Sequence, residues 1–184
     1  MHNQDKKLLL ELARKSIETV FTKKQLDLDK YEHINQKSGC FVTLKLYNNL
    51  RGCIGYVEPI YPLYRLIANA AVNAAFRDPR FPELKHEELE KIKIEISVLT
   101  KPEQISVNNP IEYLKKISIG KDGLIIKGIY GSGLLLPQVA TEYNMDVKEF
   151  LECLSQKAGL DKNAWMNPKN KIFKFRAEIF SEDY

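Results

Sequence analysis

Phe41-Val42-Thr43-Leu44-Lys45-Leu46-Tyr47-Asn48-Asn49-Leu50-Arg51-Gly52-Cys53-Ile54-Gly55-Tyr56-Val57 is a pair of β-branched and aromatic runs separated by two asparagines. Asparagine tolerates positive φ, so Asn48-Asn49 reads as a tight turn and the two runs as an antiparallel hairpin. A symmetric turn there sets Leu46 against Arg51, Leu44 against Cys53 and Val42 against Gly55, and opposed residues share a face. Arg51 and Cys53 are then neighbours on one surface. Gly55, further along it, leaves room for a ligand or for close approach of backbone.

That placement admits two chemistries. Arg51 beside Cys53 would favour a thiolate and make the pair a nucleophile or an anion-holding site. Alternatively Cys53 is a small buried hydrophobe, the reading favoured by Val42, Leu44 and Leu46, since a thiol ringed by aliphatics resists ionising. Arg51, at the turn end of its strand, is the ligand-facing member in either case.

Outward from the hairpin, Asp5 to Phe21 places Leu8, Leu9, Leu12, Ile17, Val20 and Phe21 at helical spacing, and Lys23 to Lys37 is a polar connection with weak patterning. Pro62 opens a helix whose stripe, Leu63, Leu66, Ile67, Ala70, Ala71 and Ala74, is small enough to pack closely on a sheet. It ends near Asp78-Pro79, because proline disfavours helical geometry in the residue before it. Ile92, Ile94, Ile96 and Val98 alternate with Lys93, Glu95 and Ser97 as a half-buried strand. Leu124–Ile126 and Leu134–Leu136 read as buried strands around Gly128 to Gly133. A short helix follows Pro137, Asp146 with Glu149 forms a capping box for another, and Gly159 stops it. Phe173, Phe175, Ala177 and Ile179 alternate as one final strand. Strands and helices mix without regular βαβ alternation, which predicts an α+β fold with mainly antiparallel sheets and packed helices.

A chain of 184 residues is expected to form one domain, 1–184, with room for two lobes whose boundary the sequence leaves open. Such a length buries roughly 70% of the surface its unfolded form exposes, so no covalent staple is required. The net charge of +4 is mild and the lysines alternate with acids, so nucleic-acid binding is not expected. Cys40, Cys53 and Cys153 are odd in number and lack C-x-x-C spacing, which argues against a disulfide framework and a structural zinc site and for the cytoplasm. His2, His33 and His86 are scattered, so no metal site is expected. No apolar run approaches the ~20 residues of a membrane span.

A second polar constellation is Arg77-Asp78-Pro79-Arg80-Phe81-Pro82. Two prolines stiffen the loop, and Arg77 and Arg80 present planar forks suited to carboxylate or phosphate, an anion clamp when joined by Arg51. The plainer alternative is that one arginine pairs with Asp78 or a helix C-terminus and holds the loop. Glu95, opposite the apolar face of its strand, is a candidate proton acceptor or arginine partner. Gly131-Ser132-Gly133 lacks the Lys-Ser/Thr of a phosphate loop and reads as a hairpin turn. Gln138, near a helix start, can offer an amide to a ligand. Trp165 covers one end of the core.

Phe41-Val42-Thr43-Leu44, Leu50-Arg51-Gly52-Cys53-Ile54-Gly55, Ala75-Phe76-Arg77-Asp78-Pro79-Arg80-Phe81-Pro82, Ile94-Glu95-Ile96-Ser97-Val98-Leu99, Gly133-Leu134-Leu135-Leu136-Pro137-Gln138-Val139 and Lys157-Ala158-Gly159-Leu160 resemble, in order, the successive motifs of the AMMECR domain family. Prokaryotic members of this type are grouped with a Memo-type, dioxygenase-like protein and a radical SAM protein. The resemblance implies a compact α+β fold of two lobes flanking a cleft that carries the shared motifs. It also implies Memo-like and radical SAM proteins as partners. The chain departs from the family pattern at Asn144-Met145-Asp146, where many relatives carry tryptophan, so packing rather than ligand stacking is expected there.

Two functional classes follow. One is an enzyme or enzyme subunit of a modification pathway acting on a small molecule or protein, with Cys53, Arg51 and Glu95 catalytic and Gly52, Gly55, Arg77, Arg80 and Gln138 binding ligand. The other is a non-catalytic protein-interaction module, consistent with the lack of a paired base near Cys53. The chain carries no cofactor motif of its own. Iron or S-adenosylmethionine would belong to a partner.

Overall fold

Why the chain makes two sheets rather than one is set by a single break near its end. In the computed structural model, which describes residues 1–182, the run around Phe173–Ile179 is two strands separated at Arg176. The Arg176 N–H donates to Thr100 Oγ1 and its carbonyl accepts from the Thr100 N–H, each at 2.8 Å, so this residue pairs with a position outside the strands and leaves the ladder. The single final strand expected from alternation is thus corrected to two, which serve different sheets. The chain divides into two compact units, Met1–Leu99 with the last strand, and Thr100–Ala177.

The first unit contains α1 (Asn3–Thr22), β1 (Cys40–Leu46), β2 (Asn49–Tyr56), α2 (Leu63–Phe76) and β3 (Ile92–Leu99). Both helices lie on the sheet face built from Val42, Leu44, Ile94 and Ile96, all fully buried. The stripe read from the sequence for α2 is buried in full. Gly52 permits the contact: a Cβ there would sit 2.1 Å from the Ala74 carbonyl oxygen. The polar connection Lys23 to Lys37 is less plain than its composition, because a 3-10 turn at Asp29–Tyr31 drives Tyr31 into the core with no exposed surface.

The hairpin turn falls one residue earlier than expected. Tyr47 and Asn48 take the positive φ values, 51° and 66°, so Leu46 pairs with Asn49 and Lys45 with Leu50. A bulge between Leu44 and Lys45 then skips Arg51 and sets Leu44 against Gly52, Thr43 against Cys53 and Phe41 against Gly55. The extra residue leaves the ladder and bends the strand locally. The predicted pairings of Leu44 with Cys53 and Val42 with Gly55 are therefore replaced by pairings on the other face.

The second unit contains β4 (Glu103–Gln104), α3 (Tyr113–Lys116), β5 (Gly123–Lys127), β6 (Ser132–Leu135), α4 (Pro137–Glu142), α5 (Val147–Lys157) and β7 (Lys171–Phe175), with sheet order β4-β7-β5-β6. The other sheet runs β2-β1-β3-β8, where β8 is Ala177–Ser181. Leu124, Ile126 and Ile172 face Phe150, Leu151, Leu154 and Trp165 in this unit's core. The Asp146–Glu149 capping box forms in both directions, at 2.8 and 2.9 Å. Gly159, at φ 72°, ends the helix. The glycines of Gly131-Ser132-Gly133 serve packing: a Cβ on Gly131 would meet the Ala158 oxygen at 2.1 Å and one on Gly133 the Ala158 nitrogen at 2.8 Å. Among the described residues, five α-helices with two antiparallel four-stranded sheets make the α+β class read from the sequence. Among the described residues no helix is long and apolar enough to cross a membrane.

Candidate functional site

Arg51 occupies the bulge, and its guanidinium is consumed within the unit. Nε and one terminal nitrogen donate to the two Glu88 carboxylate oxygens, each at 2.9 Å. The remaining bonds run to the carbonyls of Pro82, at 2.9 Å, and Glu83, at 3.2 Å. Only 9% of the residue is exposed. This bidentate fork pulls the Glu88 carboxyl below its ordinary range and fastens the proline loop to the strand. Arg51 is in consequence a strut between β2 and the loop, a role that Lys could not fill with the same geometry.

Asp78 performs the same task in the loop after α2. Its buried carboxylate accepts from the Cys53 N–H at 2.9 Å and the Arg80 N–H at 3.1 Å. It also receives a two-point bond from Arg80, at 2.9 and 2.7 Å. Arg80 first of all, then these backbone donors, hold the Asp78 carboxyl at about 2 against the cost of its burial. A terminal nitrogen of Arg80 reaches the Cys53 carbonyl at 3.3 Å. Of the two arrangements weighed for the Arg77–Pro82 loop, Arg80 adopts the internal pair with Asp78. Arg77 caps the end of α2 and is exposed.

Cys53 lies in a cross-strand row with Thr43 and Glu95, because Thr43 pairs with both in register. The Thr43 hydroxyl donates to Cys53 Sγ at 3.3 Å, and Lys45 Nζ donates to Glu95 at 2.8 Å. Burial pushes the Cys53 thiol above its ordinary value. The Thr43 bond and the Arg80 charge oppose that rise, while Asp78 and Glu95 add to it. The cation felt by the thiol is thus Arg80, not Arg51. The half-buried row Cys53-Thr43-Glu95-Lys45 offers a protonated thiol, a hydroxyl, a carboxylate and an ammonium, a hydrogen-bonding surface rather than a thiolate nucleophile.

Gly52 and Gly55 are spent on packing. A Cβ on Gly55 would strike the Cys40 carbonyl oxygen and the Phe41 ring, each at 2.3 Å. Gln138 belongs to the second unit, where its Oε1 is enclosed without a hydrogen-bond partner. Thr43, Lys45 and Glu88 are the contributors that sequence reasoning did not single out, whereas Asp78 was read there as an arginine partner. Glu88, 37 residues from Arg51, had no local signal.

A family model described as AMMECR1 matches residues 10–180. Protein NEQ441 of Nanoarchaeum equitans is 48% identical over 178 residues, covering 95% of this chain and 99% of its own. Protein MJ0810 of Methanocaldococcus jannaschii is 49% identical over 173 residues, covering 92% of this chain and 86% of its own. The crystal structure of an uncharacterized protein, PH0010 from Pyrococcus horikoshii, superposes with a TM-score of 0.91 at 43% identity over 100% of this chain and 94% of that one. The motifs, the fold and the full-length match agree, and the chain belongs to the AMMECR1 family.

Proposed function

We propose that this chain is a ligand-binding component of a cytoplasmic modification pathway that also employs Memo-like and radical SAM proteins, and that it binds through the Cys53-Thr43-Glu95-Lys45 face. The observation that carries this reading is the internal pairing beside that face. Arg51 with Glu88 and Arg80 with Asp78 clamp both motifs to one strand, and the Cys53 N–H is itself tied to Asp78. A preorganised support of this kind favours a site that must hold its side chains still. Cys53 serves as a neutral contact, since burial disfavours its thiolate.

The test is anaerobic affinity purification of the tagged protein from its own cells, with bound proteins and small molecules identified by mass spectrometry. Glu95→Lys is expected to abolish capture of the bound species, whereas Cys53→Ser retains it. Loss of capture on Cys53→Ser with Glu95→Lys unaffected would overturn the assignment of roles and restore the nucleophile.

The alternative, a non-catalytic protein-interaction module, draws support from the far end of β2. Ile60 and Tyr61, 65% and 58% exposed, flank a groove of about 480 Å³ together with Tyr56, Leu66 and Asn69. Stoichiometric recovery of a Memo-like or radical SAM protein, lost on Tyr61→Ser and kept in Glu95→Lys, would favour this second reading.

A further inference from the structure

We propose that the second unit holds a separate binding site for a small carboxylic acid with an apolar or aromatic body, in the pocket walled by Trp165 and Tyr113 and entered beside Lys171. The pocket has a volume of about 280 Å³, small for a ligand site, and all its walls come from residues 104–113 and 165–171. One of its side chains is a buried polar group without a partner: Trp165 is 1% exposed and its Nε1–H meets no acceptor. Tyr113, 6% exposed, lines the same pocket. A buried donor left unpaired costs roughly 1–3 kcal/mol, so the indole at this wall requires an explanation.

The chemistry of the walls selects the occupant. An indole N–H only donates, and a phenol can do so. No Asp or Glu lines the pocket, whereas Lys171 does; its Nζ donates to the Pro168 carbonyl at 3.3 Å and has two further protons to offer. Three donors with a positive charge and no negative one fit a carboxylate. Ile105, Val107 and Met166, beside the two rings, fit an apolar body. Burial alone pushes the Tyr113 phenol above its ordinary value, which keeps it a donor at neutral pH. The carboxylate accepts from Tyr113 and Lys171 at the mouth, with the indole N–H as the third donor.

The chain has one tryptophan, so its indole N–H gives a single resonance that reports this pocket alone. The ¹⁵N-labelled full chain is titrated with benzoate and, separately, with benzyl alcohol as the uncharged analogue. Benzoate is expected to shift the indole proton downfield and saturably, with a dissociation constant at or below ~1 mM, and benzyl alcohol to bind at least ~10-fold more weakly. Lys171→Gln, an exposed substitution that spares the core, weakens benzoate about tenfold and leaves benzyl alcohol unchanged, a loss of about 1.4 kcal/mol. Tyr113→Phe, which keeps the ring, also weakens benzoate. A static indole resonance, equal affinity for the two probes, or indifference to Lys171→Gln would each overturn the proposal.

Discussion

Arg51→Ala removes a fork that satisfies one carboxylate and two carbonyls, and Glu88 is then left partly buried without its cation. The expected loss is about 3 kcal/mol, the scale for breaking a buried pair by deleting one partner. Glu88→Gln should cost less, since the guanidinium keeps both carbonyls, and urea denaturation of the two single variants and the double variant measures the coupling. Asp78 adds a pH signature. Its carboxyl, ordinarily near 3.8, is held at about 2 in the folded protein, so folding favours the ionised form. At one pKa unit per 1.36 kcal/mol this is worth about 2 kcal/mol above pH 4, and it fades as the pH falls toward 2. Asp78→Asn is accordingly less stable than the wild type at neutral pH, and the gap between their denaturation midpoints narrows through that acid window. A gap that stays constant from pH 7 to 2 would remove Asp78 from this role. The motif residues were legible in the sequence as a polar cluster, and the arginine–Asp78 pair as one of its two readings, but the use of Arg51 was not. Arg51 meets Glu88 through a fold-level approach that local spacing does not encode, and so a group read as ligand-facing proves to be spent inside.

Helices and strands were legible because their periodicities are strong: the α2 stripe, the β3 strand and the Asp146 cap stand where the pattern puts them, although Ser97, on the polar side of the β3 alternation, is buried too. The hairpin turn slipped by one residue because Tyr47, with no special turn propensity, takes a positive φ beside Asn48. The bulge then makes up part of the slip and turns Cys53 toward Thr43. Such a shift reverses every face assignment, since side chains alternate along a strand. The contact between α2 and β2 is correspondingly sensitive. Gly52→Ala would drive a methyl into the Ala74 carbonyl, which the helix can relieve only by lifting off the sheet. A loss of about 3 kcal/mol is expected, at the upper end for overpacking, and thermal melts of the variant read it directly. Asp146→Ala, which deletes only the cap of α5, should cost about 1 kcal/mol by the same measurement. A variant at Gly52 as stable as the wild type would mean that this packing yields more easily than the close approach implies.

At the scale of the whole molecule, the α+β class followed from the order of elements, but the assignment of strands to sheets did not. Alternation through Phe173–Ile179 is continuous in sequence, and only the pairing of Arg176 with Thr100 reveals that the chain changes sheets there. The first unit is therefore closed by the last strand of the chain rather than by a neighbour in sequence. Glu182 fixes that strand: its carboxylate accepts from Arg14 at two points, each 2.6 Å, and from the Ile94 N–H at 2.9 Å. Glu178 binds Lys6 of α1 at 2.7 Å. A chain ending at Arg176 loses β8 and all of these bonds, and leaves the outer edge of β3 without a partner, an invitation to association between copies. Every strand of the second sheet is retained in that truncation. Hydrogen exchange on the truncated chain should accordingly show lost protection in β1, β2 and β3 while β5 and β7 keep theirs. Undiminished protection of β1 to β3 would show that the last strand is an addition to the first unit's sheet and not the element that completes it.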